Sequence, residues 1–446
     1  MGWDIKVLSS KSVMTMVRKI ALVCCYSGNN TGDRAIVLGT LKFLKQVFPQ
    51  AEISYHTRYP SRDLNANLEV FRWLSGKYAI FPALIPISRL NPEREIPRAL
   101  VFFTFIKRLF LLILCYVIGV KGVLFTLDKR TRDAVNDIAL AELVVFIGGF
   151  FFDGVRCDVR NLINSIIHLY PLLLAKIFKR KVLILGVSMG PFRGTLTRLF
   201  LRRALSYTLK IFLREPRSKD FLQEIGVLPE KLAVIPDLAF YLYEGLPRWV
   251  DTPSRCESAS DTNVIIFVRG PILKRERRQY SLVMANLINY LIEAKNAQVF
   301  LVPWTVDVSG WESNDLEIIV EIQRLVAQKN CTKILPFFSS PEKIIQFCRT
   351  AALIISSRTH GIVLSRPAPF IAVPVVLTHR FTGLTQLLDL PQYCCKTSTD
   401  FSELKNLVDR VLAEKELIRT QQARTLDRLL LNFENLRDEL RMLVGD

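Results

Sequence analysis

Ser356-Ser357-Arg358-Thr359-His360-Gly361 brings two hydroxyls, a guanidinium and an imidazole into one short stretch. Guanidinium is a fixed fork of donors suited to carboxylate or phosphate. Imidazole is the side chain that exchanges a proton near neutrality. Such a set could hold a small anion and move a proton. His360 is one of only four histidines among 446 residues. Ahead of the stretch, 351–355 reads as a short buried strand; behind it, 361–364 reads as the first turn of a helix. That order puts the polar turn at the carboxyl end of a sheet, where open α/β folds bind ligands, beside N–H groups at a helix start that favour an anion. Taken alone, the stretch reads first as a capped helix with a structural arginine and histidine. The other loops shift that balance.

An apolar run at 19–26 opens into Ser27-Gly28-Asn29-Asn30-Thr31-Gly32-Asp33-Arg34, and an amphipathic helix follows over 35–47. The glycines permit backbone conformations closed to other residues and close approach of a ligand. The loop matches neither nucleotide-binding glycine fingerprint. Asp33 also has an ordinary reading as a first-turn acid favoured by the helix dipole. A strand at 143–147 ends in Gly148-Gly149, with Asp153 beyond; strands at 210–213, 232–236 and 263–268 deliver Arg214, Asp237 and Arg269; a later loop carries His379-Arg380. An N-cap role would suffice for Asp237. A ligand bearing both carboxylate and phosphate suits this set of cations.

The elements that must position these loops alternate regularly. Strand, polar loop and helix recur through 19–236 and again from 263, the pattern of parallel sheets covered on both faces. The organisation expected is a first Rossmann-like domain over 1–248, the acceptor side, a Pro/Ser-rich linker at 249–262, a second Rossmann-like domain over 263–398, the donor side, and a helical tail at 399–446. Two such halves imply a cleft, as in GT-B glycosyltransferases. Residues 60–97 read as irregular, with prolines at 60, 82, 86, 92 and 97.

The formal charge of +19 favours anionic partners. The absence of zinc-ligand spacing, of an RNA-binding aromatic signature and of a helix-turn-helix argues against nucleic acid. Nine cysteines without C-x-x-C argue against an oxidised scaffold and for a reducing, cytoplasmic setting. No secretory h-region precedes the first strand. Residues 99–125 are almost wholly apolar, interrupted by Lys107-Arg108; the uncharged run at 109–120 falls short of the about 20 residues a bilayer span needs. A core helix, a helix touching an anionic membrane at its cytoplasmic face and, behind both, a transmembrane helix stay open.

In Tyr26-Ser27-Gly28-Asn29-Asn30-Thr31-Gly32-Asp33-Arg34-Ala35-Ile36, Phe146-Ile147-Gly148-Gly149 with Asp153, Gly186-Val187-Ser188-Met189-Gly190-Pro191, Leu213-Arg214-Glu215 with Ser218, Pro236-Asp237-Leu238-Ala239 and Ser357-Arg358-Thr359-His360-Gly361, the sequence resembles the polysaccharide pyruvyl transferases. Their order spans roughly residues 19–390. Phe150 stands where the family's glycine loop usually continues, and Thr359 where a leucine is usual. The resemblance implies transfer of the enolpyruvyl group of phosphoenolpyruvate to two hydroxyls of one sugar, with phosphate released and no metal or other cofactor required. The acceptor would be a cell-surface or exopolysaccharide sugar, in some members on a lipid-linked precursor. His360 would be the general acid, Arg358 and Arg269 anion clamps, and Asp33 the group orienting or deprotonating the acceptor. Asn30, Gly32, Gly148, Gly149, Asp153, Arg214, Ser357, His379 and Arg380 complete the expected site. An Arg358 spent on a core ion pair, or a His360 shut away from any opening, would count against this assignment. A nucleotide-sugar glycosyltransferase and a non-catalytic assembly partner are the rival readings.

Overall fold

The computed structural model describes residues 17–25, 30–57, 74, 76–85, 103, 105–111, 113–114, 127–151, 158–246, 262–269, 274–305, 314–338, 340–366, 368–373, 379–395 and 400–445, apart from the side chains of 150, 151, 160, 274, 275 and 379. The first sheet is built from β1 (Lys19–Cys25), β2 (Glu52–Thr57), β3 (Ala79–Phe81), β4 (Leu143–Phe146), β5 (Phe150–Phe151), β6 (Lys181–Met189), β7 (Lys210–Leu213) and β8 (Leu232–Val234). Between them run α1 (Thr31–Val47), α2 (Lys129–Leu140), α3 (Asp158–Ile177), α4 (Thr195–Leu205) and α5 (Pro216–Glu224), and a 3-10 turn at Leu238–Tyr243 follows. The second sheet contains β9 (Asn263–Val268), β10 (Gln298–Pro303), β11 (Thr332–Ile334), β12 (Leu353–Ser356) and β13 (Phe370–Ala372). Its helices are α6 (Lys274–Lys295), α7 (Asp315–Leu325), α8 (Pro341–Cys348), α9 (Thr359–Val363) and α10 (His379–Leu387); α11 (Phe401–Ala413) and α12 (Lys415–Gly445) end the chain.

All the strand pairs are parallel. Strand order is β3-β2-β1-β4-β6-β7-β8, with β5 beside β6, in the eight-stranded sheet, and β11-β10-β9-β12-β13 in the five-stranded one. The chain therefore builds outward from β1 and reverses to place β4 on its other side. It does the same from β9, with β12 across the reversal. Each reversal opens a crevice at the strand carboxyl ends. The loops after β1, β4, β9 and β12 hold Asn30, Gly32, Asp33, Gly148, Gly149, Arg269, Ser357, Arg358 and His360. Topology alone thus gathers those residues at two crevices.

The central strands are apolar on both sides because both sheet faces are covered. Ile20, Leu22, Leu143, Val145, Leu183, Leu185 and Phe212 point to one face, under α1, into a core continuous with that of the second sheet. Ala21, Val23, Val144, Phe146, Val182, Ile184, Ile211 and Leu213 point to the other, under α2, α3, α4 and a helical stretch within 103–114. No helix among the described residues is long and apolar enough to cross a membrane. The buried Phe105 and Leu111 place one side of the 103–114 helix in the core.

Two elements differ from the sequence reading. The stretch read as irregular over 60–97 contains β3, which pairs with β2; its three residues are too few to show periodicity. The tail is two helices, broken at Glu414. The second returns to the first domain, where Lys210 pairs with Glu439 and Lys181 Nζ donates to Val444 O at 2.9 Å. The linker expected at 249–262 lies, save residue 262, outside the described residues.

Candidate functional site

Asn30 caps α1, its side chain accepting from the amides of Gly32 at 2.9 Å and Asp33 at 3.4 Å. The Thr31 amide donates to Trp304 O at 3.2 Å at the end of β10, and Asn30 forms an antiparallel bridge with Thr305. The carboxyl ends of the two sheets therefore meet at the start of α1. His360, in the first turn of α9, lies against this turn. A Cβ added at Gly32 would come 2.7 Å from His360 Nδ1, so only glycine lets α1 approach the imidazole this closely.

His360 Nε2 lies 3.3 Å from Asp237 Oδ2, a contact that crosses from one domain to the other. Asp237 is the N-cap of the 3-10 turn, where its Oδ1 accepts from Ala239 N at 2.9 Å. Arg214 Nη1 donates to the same Oδ2 at 2.7 Å. Burial alone would push the Asp237 carboxyl up, but Arg214 and then His360 outweigh it and hold it well below the usual carboxylate range. An acid ionised at neutral pH thus faces the imidazole. Asp33 lies near the same cluster: a Cβ at Gly149 would lie 3.6 Å from Asp33 Oδ1 and 3.9 Å from Arg214 Nη2.

Arg214, expected among the substrate-binding residues, is 8% exposed and bonded within the protein. Its Nε donates to Ser188 Oγ at 2.7 Å and its Nη2 to Gly149 O, besides the bond to Asp237. The physical reason is desolvation: a guanidinium delivered by a central strand is stable only when its donors are satisfied within the protein. Gly148 is buried with φ 151° and Gly149 presents its carbonyl to Arg214, so the glycine pair shapes this anchor.

Arg358 is likewise bonded within the protein, in the ion pair that counts against its expected role as an anion clamp. Its side chain is 11% exposed and its Nη2 donates to Asp315, itself 1% exposed. Asp315 Oδ2 accepts from the amides of Trp304 at 3.1 Å and Thr305 at 2.9 Å, which ties the pair to the end of β10. Burial raises the Asp315 carboxyl in spite of Arg358. Arg269, half-buried, sits beside both; burial and then the charge of Arg358 lower its pKa, against the pull of Asp315. Of the two guanidiniums, Arg358 is bonded to the Asp315 carboxylate and Arg269 feels its charge. Ser357 is buried and its Oγ is 2.6 Å from Tyr280 OH, so it braces the loop.

Arg380 lies in the first turn of α10, whose Gly383 packs against Glu215 of the first domain; the added Cβ would meet Glu215 Cβ at 3.1 Å. The side chain of His379 and all of Asp153 lie outside the described residues. Sequence reasoning missed Asp315, Tyr280 and Glu215. Burial, more than Ser218 or Arg214 offsets, raises the Glu215 carboxyl. Glu215 follows Arg214 directly and was legible as a candidate; Asp315 looked like any helix-start acid.

Two parallel-sheet α/β domains meeting at their carboxyl ends, with acids and cations from both at the seam, define a GT-B-like protein. Solved structures share that fold: Anabaena Alr3699/HepE in complex with UDP and glucose, at 11% identity, TM-score 0.55, over 95% of this chain and 99% of that one, and UDP-GlcNAc 2-epimerase from Neisseria meningitidis bound to UDP-GlcNAc, at 10% identity, TM-score 0.51, over 93% and 99%. The sequence profile named polysaccharide pyruvyl transferase matches residues 30–365, and the chain belongs to that family of transferases. The amylovoran biosynthesis protein AmsJ of Erwinia amylovora is 22% identical over 430 residues, covering 92% of this chain and 95% of its own.

Proposed function

We propose that the protein transfers the pyruvyl group of phosphoenolpyruvate onto two hydroxyls of one sugar of an exopolysaccharide or its lipid-linked precursor, at the cytoplasmic face of the membrane and without a further cofactor. The observation that carries this reading is the His360 imidazole, held at the seam against the ionised Asp237 of the other domain. His360 protonates the donor's methylene carbon, leaving C2 with oxocarbenium character. One hydroxyl adds to C2 and loses its proton to Asp33 or water. The C2–O bond to phosphate breaks with its electron pair leaving on phosphate. The second hydroxyl adds to C2 and gives its proton back to the His360 imidazole as the ketal closes. Asp237, 3.3 Å from Nε2, orients the imidazole for the protonation step. Asp33, on the acceptor side, orients or deprotonates the attacking hydroxyl.

Because Arg358 is committed to Asp315, grip on the donor passes mainly to Arg269. A carboxylate or phosphate bound there relieves the repulsion between the two guanidiniums. Phosphate release from phosphoenolpyruvate, measured with lipid-linked and nitrophenyl sugars as acceptors, tests the reading. The wild-type protein should release phosphate only when an acceptor is present, and His360→Ala should reduce the rate by about 10²-fold or more. Turnover of a uridine or guanosine diphosphate sugar instead, or unchanged polysaccharide output from His360→Ala cells, would overturn it.

A further inference from the structure

The helix within 103–114 has two unlike sides. Phe105 and Leu111 are buried in the core, while Phe103, Ile106, Phe110 and Ile113 are 43–67% exposed. Their spacing of three, four and three residues aligns them along one outward stripe. Lys107 is exposed beside them. A water-facing helix gains nothing from four large apolar side chains in line, so the stripe has the form of an interface.

The neighbouring helices continue the same composition. Arg108 O accepts from Tyr170 OH of α3 at 3.0 Å, and α3 in turn holds α4, with Asp158 accepting from Leu196 N and Thr197 N, each at 3.1 Å. These helices cover one face of the first sheet, and the core shared with the second domain lies on the opposite face. Their outer sides therefore look away from the second domain. On them Val159, Leu196 and Leu199 are exposed, among exposed Arg193, Arg198, Arg202 and Arg203. Neither 99–125 nor 191–206 contains an acid. The exposed acids of this layer include Asp128, which pairs with Arg108, and Asp133 of α2.

We propose that this face docks the protein on an anionic lipid bilayer, the 103–114 stripe entering the headgroup–acyl boundary and the arginines of α4 meeting lipid phosphates. Apolar residues in line with cations around them match a bilayer surface in both respects: buried apolar area supplies the insertion, and fixed anionic charge supplies the attraction. A second protein would need a shaped partner surface; a bilayer needs only a convex apolar line. The inference stands apart from the chemistry at the seam, since these helices cover the face of the first sheet opposite the core shared with the second domain.

The test is sedimentation of the purified full chain with phosphatidylcholine vesicles, with and without phosphatidylglycerol. Binding is expected only to the anionic vesicles and should weaken at high salt. Phe110→Glu/Ile113→Glu should lower the bound fraction at least about tenfold, with circular dichroism and melting showing the fold intact. Arg193→Gln/Arg203→Gln, both at exposed positions, should weaken binding while keeping its dependence on Phe110. Equal binding to both vesicle types, or full binding by the folded Phe110→Glu/Ile113→Glu variant, overturns the proposal. So does a dimer that this variant dissociates, in the absence of vesicle binding.

Discussion

At the scale of single residues the site is a set of charges that constrain one another. Gly32 leaves little slack at the imidazole, since a Cβ there would lie 2.7 Å from His360 Nδ1. Gly32→Ala should displace the imidazole and cost about 10²-fold in turnover, with melting temperature changed little; steady-state phosphate release beside a thermal scan separates the two. Asp237 gives a second prediction. Its carboxyl is depressed in the folded chain, so the stability it contributes is fully present above its unfolded pKa of about 3.9 and is lost as pH falls below that. Asp237→Asn leaves Arg214 buried without its counter-charge and should cost about 3–5 kcal/mol at neutral pH. Urea titrations should show that gap closing as the pH drops below the ordinary carboxylate range. A gap constant with pH would mean that Asp237 contributes packing and not charge.

At the scale of elements, the decisive contact is between α1 and the Leu238–Tyr243 turn. A Cβ on Gly39 would lie 2.0 Å from Leu238 O, inside the backbone of the turn. The turn cannot retreat without moving its cap, Asp237, away from His360. Gly39→Ala should therefore destabilise by about 1–3 kcal/mol or more, read as an early urea midpoint. Unlike Gly32→Ala, it should lower stability and turnover together. This element also shows where the sequence was legible and where it was not. The strand–loop–helix alternation exposed the parallel sheets, because continuous apolar runs and glycine loops are local signals. It also exposed the loops at both reversals of strand order. The pairing of those loops was hidden. Arg358 meets an acid 43 residues away and Arg214 one 23 residues away, and a run of sequence does not distinguish an arginine waiting for a ligand from one already satisfied. Asp237, readable as a mere cap, proved to be a cap and the partner of both Arg214 and His360.

At the scale of the whole molecule, α12 bridges the two domains. Its early part binds the second domain, with Gln421 Nε2 donating to Asp389 O at 2.9 Å and Arg428 paired with Asp389 at 2.8 Å. Further along, Phe433 is buried with its ring 5.8 Å from Phe43 of α1 and 5.1 Å from Tyr241 of the 3-10 turn. The helix thus ties the second domain to the two first-domain elements that place Gly32 and Asp237. Phe433→Ala should cost about 3–5 kcal/mol from the cavity it leaves. If the helix only adds stability, the fraction that remains folded at low temperature will turn over at the wild-type rate. If it sets the register between domains, the folded fraction will be slow, because His360 meets Asp237 only when both are held in place. The second outcome is expected. Turnover per folded molecule, corrected by circular dichroism, decides between them, and Phe433→Leu should restore much of the rate by refilling the space.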